Sequence, residues 1–152
     1  MKGRLKKFLL TVAFGSSAIS MHPATMLFLI NGLGEIIAAL MFALHPESLT
    51  FLTSPLDANS RFLFKAWAAS ITGFGIGTIM SAEDAALRPE QTRAITTGAI
   101  FYHGAVAGTY ALHILAGVAG VDWAFGAAVH AVGAVAFTHH LVMRVNATRR
   151  VR

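Results

Sequence analysis

Residues 24–44 read ATMLFLINGLGEIIAALMFAL, and the fold class turns on this stretch. It is 21 residues long and holds a single ionisable side chain, Glu35. At 1.5 Å of rise per residue, a helix of about 20 apolar residues matches a hydrocarbon core of ~30 Å. His22-Pro23 precedes it and His45-Pro46 follows. Both suit helix ends, because proline lacks an N–H and restricts the residue before it.

Working outward, three more runs have spanning length: about Phe62–Ala82, Ala94–Gly117 and Asp122–Val142. The expectation is an all-α integral membrane four-helix bundle over residues 24–142, forming one domain. A basic N-terminus with a short interfacial helix (1–23) precedes it, and a basic tail (143–152) follows. The connections are His45 to about Arg61, Glu83–Arg93 and a short turn near Gly117–Val121, read as loops; short connections imply antiparallel neighbours. Glycines four apart, Gly73/Gly77 and Gly104/Gly108, suggest close helix approach.

Composition agrees. Of 152 residues, 55% are hydrophobic and 12% charged, against about 25% charged in soluble domains. The chain has no cysteine, which excludes disulfides, thiolate catalysis and cysteine-ligated zinc or iron–sulfur sites. The net charge of +5 sits at the ends of apolar runs, not on one aromatic-interleaved face. Its reading is contact with anionic lipid headgroups, and nucleic acid is not an expected partner.

Charge also sets topology. Residues 8–21, FLLTVAFGSSAISM, resemble the apolar core of a signal peptide. With residues 5–21 lying in the interface, one side holds ten basic residues: Lys2, Arg4, Lys6, Lys7, Arg88, Arg93, Arg144, Arg149, Arg150 and Arg152. Only Arg61 and Lys65 face the other. If the segment spanned uncleaved, the split would be six to six. The positive-inside rule prefers the first arrangement, with both termini cytoplasmic. The membrane would be the endoplasmic reticulum in a eukaryote, and the sequon Asn146-Ala147-Thr148 would stay unglycosylated.

A charged group at the bilayer centre costs about 2.5–3.5 kcal/mol on the mildest scale, so ionisable residues inside spans are functional candidates. Glu35 is the twelfth residue of its run, His103 the tenth of a 24-residue run and His130 the ninth of a 21-residue run. All three fall near one depth. Asn31 shares a helix face with Glu35, and Tyr110 shares a stripe with His103. Trp123, Gly126, Gly133 and Phe137 share a stripe with His130. This inventory predicts acid–base chemistry on a lipophilic small molecule. Glu35, His103, His130 and Tyr102 are the catalytic candidates; Asn31, Tyr110, Trp123 and Phe137 are the substrate-binding ones. No metal and no cofactor is assigned, and a homo-oligomer is compatible. His113, Asp122, His139 and His140 lie towards the membrane surfaces, where water solvates them, and Lys65 and Trp67 suit snorkelling and an aromatic belt.

The layout has a short basic start, Glu35 in the first span, a proline-containing loop, and Tyr102-His103 and His130 in later spans. Over residues 24–142 it resembles small four-span membrane proteins of fungal natural-product pathways, of the membrane-bound epoxide hydrolase and cyclase type. That resemblance implies epoxide opening or cyclisation in polyketide or terpenoid biosynthesis. The stretch LFLINGLGEII (27–37) is similar to the small multidrug resistance family, which implies a proton-coupled carrier. The 45–61 loop is long for that family, and its pattern does not include a histidine-rich second half. A haem protein and a non-catalytic assembly subunit are the remaining readings. Haem would need histidines stacked on one face, but His103/His113 and His130/His140 are ten apart, well off whole turns.

Overall fold

The computed structural model describes residues 21–44, 57–117 and 123–146. The interfacial segment, most of the first loop, the 118–122 turn and the end of the tail lie outside the described residues. Among those described there are five α-helices and no strand: α1 (Pro23–Leu44), α2 (Ala58–Met80), α3 (Ala82–Leu87), α4 (Arg93–Leu115) and α5 (Trp123–His140). A 3-10 turn, Pro89–Thr92, leads into α4, and α5 continues as a π-helical stretch, Leu141–Val145.

Local chemistry sets the ends. Before α1, the Ala24 N–H donates to His22 Nδ1 at 3.1 Å. The second long helix starts at Ala58, four residues ahead of the expected Phe62, because Asp57 caps it by accepting the Ser60 N–H at 2.6 Å. Hydrogen bonds from Ser60, first its side chain and then its backbone, hold the exposed Asp57 carboxyl below the usual range. Gly117 has φ of 69° just past α4, a left-handed turn that glycine adopts without strain.

The segment from Glu83 to Arg93, expected as a loop, is mostly helical. AEDAAL (82–87) is made of good helix formers, and the Asp84–Arg88 ion pair closes one turn of it. Pro89 stops it. Buried Ala82 and Ala85 pack with Ala24, Phe28, Leu29, Ala99 and Phe137, tying α3 to the start of α1.

The side-chain pairs fix helix directions. Along α1, Gly32 meets Gly75 and Ile79 of α2, whereas Phe42 meets Phe64 and Trp67, so the two run antiparallel. Along α4, His103 meets Gly133 and Phe137 while Tyr110 meets Gly126 and Trp123, so α4 and α5 are antiparallel too. Close approach uses glycines other than those expected. A Cβ on Gly75 would lie 2.8 Å from Gly32 O, so the α1 and α2 backbones touch there. Gly73, Gly104 and Gly108 face open space, and at Gly77 a Cβ would make only an ordinary 3.6 Å contact with Ile95. Spacing alone does not reveal which face of a helix is turned inward.

Three helices, Pro23–Leu44, Ala58–Met80 and Trp123–Val145, are long and apolar enough to cross a membrane. The third expected span, α4, has the length at 23 residues but falls short in apolarity. Tyr102, His103, Tyr110, His113 and three threonines dilute it. Its polar side chains divide: Thr96 and His103 are buried and Tyr102 and Tyr110 partly so, whereas Thr109 and His113, towards its C-terminal end, are exposed beside Phe101, Leu112 and Leu115.

Candidate functional site

The site is built at the middle of α1, α4 and α5. Asn31, Glu35, Ala38 and Phe42 recur at steps of four, three and four, which places them along one stripe of α1. Glu35 is buried, and Tyr102 of α4 donates its hydroxyl to Glu35 Oε2 at 2.8 Å. The next residue, His103, is also buried and reaches α1 and α5 with opposite edges of its ring. Its Nε2 lies 2.6 Å from Asn31 Oδ1 and its Nδ1 2.9 Å from His130 Nδ1. Glu35 Oε1 is 3.9 Å from the same Nε2.

Donor and acceptor chemistry orders this chain. An amide oxygen only accepts, so His103 Nε2 carries the proton it gives to Asn31. The neutral ring then offers a bare Nδ1, to which His130 Nδ1–H donates. That leaves His130 Nε2 as an acceptor. The amide nitrogen of Asn31 is buried with no hydrogen-bond partner among the described residues, so one donor is unused.

Aromatic rings hold the histidines. Phe137 stacks on His103 with centroids 5.8 Å apart and planes at 15°. Tyr102 and Tyr110 meet His130 edge-on at 5.8 and 6.0 Å. Two glycines seven apart on α5 make room for two rings seven apart on α4. A Cβ on Gly133 would lie 3.0 Å from the His103 ring, and one on Gly126 would lie 2.5 Å from Tyr110. These contacts explain why glycines share the His130 stripe.

Asn31, Glu35, Tyr102, His103, Tyr110, His130 and Phe137 line one cavity of about 510 Å³. Seven of the eight residues singled out from the sequence therefore converge on it. Trp123 does not. It stands behind the site, edge-on to Tyr110 at 5.0 Å and stacked with His113 at 6.1 Å, because it begins α5 about two turns below His130. Phe42, not singled out from the sequence, and Trp67, read there as an aromatic-belt residue before a substrate-facing one, stack at 4.6 Å and line the cavity. The signal was present for Phe42, seven residues after Glu35 on the same stripe. Trp67 passed for an ordinary interfacial aromatic. The cavity rim includes exposed residues of α1 (Ile30, Gly34) and of α5 (Phe125, Val129, Val132), so it opens sideways between those helices.

Glu35, His103 and His130 each present a ligand atom within 4.8 Å of the others, a donor set compatible with a metal ion although the sequence reading assigned none. A haem between His103 and His130 does not fit, since their nitrogens are 2.9 Å apart. His113 bonds to Thr109 O, and His140 packs on Phe28 beside Thr92. No protein family, curated protein or solved structure matches this chain.

Proposed function

We propose that the chain is a small integral membrane enzyme that crosses the bilayer four times and works by acid–base chemistry on a lipophilic molecule held between α1, α4 and α5. One observation carries the reading: a carboxyl, two histidines and a tyrosine hydroxyl meet in a cavity whose other walls are apolar and aromatic. Such a site combines proton donors and acceptors at hydrogen-bond reach with a binding surface for hydrocarbon.

The membrane part is supported by the outer faces. Phe62, Leu63, Phe101, Leu115, Phe125 and Val135 are among many large apolar side chains left exposed, far beyond what a water-soluble surface of this size carries. The fourth span is α4, whose Tyr102, His103 and Tyr110 line the site while Phe101, Leu112 and Leu115 are exposed. Arg88, Arg93 and Arg144 gather at one end of the helices, where Arg93 donates to Asn146 at 2.8 Å and Arg144 to Ala86 O at 3.3 Å. Arg61 and Lys65 begin α2 at the other end. This polarity agrees with cytoplasmic termini.

In this reading Glu35, steadied by Tyr102, exchanges a proton with the substrate, and the His103–His130 pair takes or returns the complementary proton through His130 Nε2. The unused Asn31 N–H orients a substrate oxygen. Opening of an epoxide by water or by an internal hydroxyl uses this set, with one group protonating the ring oxygen and the other accepting the nucleophile's proton. The test is conversion: membranes holding wild-type or variant protein at equal abundance are incubated with a lipophilic extract of the source organism, and products are compared by mass spectrometry. Glu35→Gln and His103→Ala should lose the conversion by about 10²-fold or more, while His113→Ala keeps it. Full conversion by both site variants would remove these residues from the chemistry. Substrate-dependent proton flux in liposomes without conversion would identify a carrier instead.

A further inference from the structure

We infer that Glu35, His103 and His130 form a binding site for one divalent transition-metal ion of the Zn²⁺ or Fe²⁺ class, held between α1, α4 and α5. The inference deepens the reading of the cavity as a reaction site. The three ligand atoms come from three helices and lie within 4.8 Å of one another. Two imidazoles with one carboxylate is a set that leaves coordination positions open for water or substrate. Cysteine is absent, so competition from soft thiolate sites does not arise.

What separates this trio from a chance cluster is the layer behind it. A ligating histidine usually donates its second ring N–H to a fixed acceptor, which sets the tautomer and aims the other nitrogen. His103 does this: Nε2 donates to Asn31 Oδ1 at 2.6 Å, which leaves Nδ1 bare and directed at His130. Glu35 is arranged likewise, with Oε2 held by the Tyr102 hydroxyl at 2.8 Å and Oε1 turned towards His103 at 3.9 Å. Phe137 against His103 and Tyr110 against His130 fix the ring planes.

The geometry requires a small adjustment. The two Nδ1 atoms are 2.9 Å apart, against about 3.3 Å for neighbouring tetrahedral ligands at 2.0–2.1 Å from zinc. The ion takes the place of the proton shared between these nitrogens, and that proton moves to His130 Nε2, so both rings ligate as neutral imidazoles. Glu35 completes the set by rotating its carboxylate towards the ion. A bound water, on the side of the cavity where Asn31 has its unused N–H, would then face the lipophilic molecule.

The experiment titrates Zn²⁺ alone into the untagged full-length protein, stripped with a chelator and held in lipid nanodiscs, using calorimetry and metal analysis after gel filtration. The expected result is one tightly bound equivalent. Glu35→Gln and His130→Ala should lose it, His113→Ala should keep it, and Asn31→Ala and Tyr102→Phe should weaken it about 10- to 100-fold. Helical content and elution position identify any variant that fails to fold, and the two positioning variants then carry the test. Binding that is absent in the wild type, or unchanged in Glu35→Gln and Asn31→Ala, overturns the site. In parallel, conversion is measured on the stripped protein. Conversion without any Zn²⁺ binding overturns the metal site and leaves the acid–base reading standing. One bound equivalent lost in Glu35→Gln supports the metal site even where no lipophilic compound is converted.

Discussion

At the scale of single residues, His103 organises the site because it alone touches both neighbouring helices through polar atoms. Its position depends on an atom that is missing: Gly133 has no Cβ, and one placed there would lie 3.0 Å from the imidazole. Gly133→Ala is expected to push the ring off both Asn31 and His130. The stability loss should be about 1–3 kcal/mol, the usual range for overpacking, read as a lowered unfolding midpoint in detergent. Activity should fall further than that loss explains. Gly108→Ala, away from the cavity lining and with nothing within 4 Å of the added Cβ, should leave both unchanged. Much of this was legible from sequence. Depth within each apolar run brings Glu35, His103 and His130 to one layer, and helical phase adds Asn31 and Tyr110. The sequence gives no rotation of one helix about its axis relative to the next. Its stripe alone places Trp123 in the cavity; the residue lies about two turns from His130, at the start of α5, and supports Tyr110 from outside the cavity.

At the scale of elements, the α1–α2 contact combines close backbone approach at Gly32 and Gly75 with side-chain packing of Ala39 and Phe42 against Phe64, Trp67, Ala68 and Ile71. Gly75→Leu should separate the two helices and displace Glu35, whose Cβ lies 3.3 Å from the position of the added atom. Gly73→Leu, directed into open space, should be tolerated; measuring detergent-extracted yield and monodispersity of the two variants checks the contrast. The start of α2 is governed by Asp57. Its carboxyl is held below the usual range by Ser60, so its cap is present above the unfolded-state value and is lost as pH falls through the depressed one. Protection of the Ser60 amide, taken as its exchange rate relative to an unstructured peptide at the same pH, should therefore fall on acidification in the wild type and be low at every pH in Asp57→Ala. Helix existence and approximate bounds were readable from hydropathy, whereas the helical character of 82–87 was not. Its charges and the following proline suggested a loop, and its packing of Ala82 and Ala85 under α1 is a tertiary effect.

At the scale of the whole molecule, the outer surface and the inner layer are opposites: apolar outside, with a polar cluster at the centre. That inversion accounts for α4, which averages too polar to qualify as a span yet presents Phe101, Leu112 and Leu115 outward. The proposed four crossings make a prediction that the absence of native cysteine renders simple to check. Single cysteines at Glu90 and Lys65 should react with membrane-impermeant maleimide from opposite faces of sealed vesicles. Labelling of both from one face would contradict the topology. The centre itself is tested most directly by carbodiimide modification of Glu35 in intact, chelator-washed membranes. The hydrophobic dicyclohexylcarbodiimide should reach Glu35 from the lipid through the gap between α1 and α5 and attach there, as mapped by peptide mass, whereas a water-soluble carbodiimide should not. Modification of Glu35 by the water-soluble reagent alone, or by neither, would contradict a polar reaction layer reached from the bilayer.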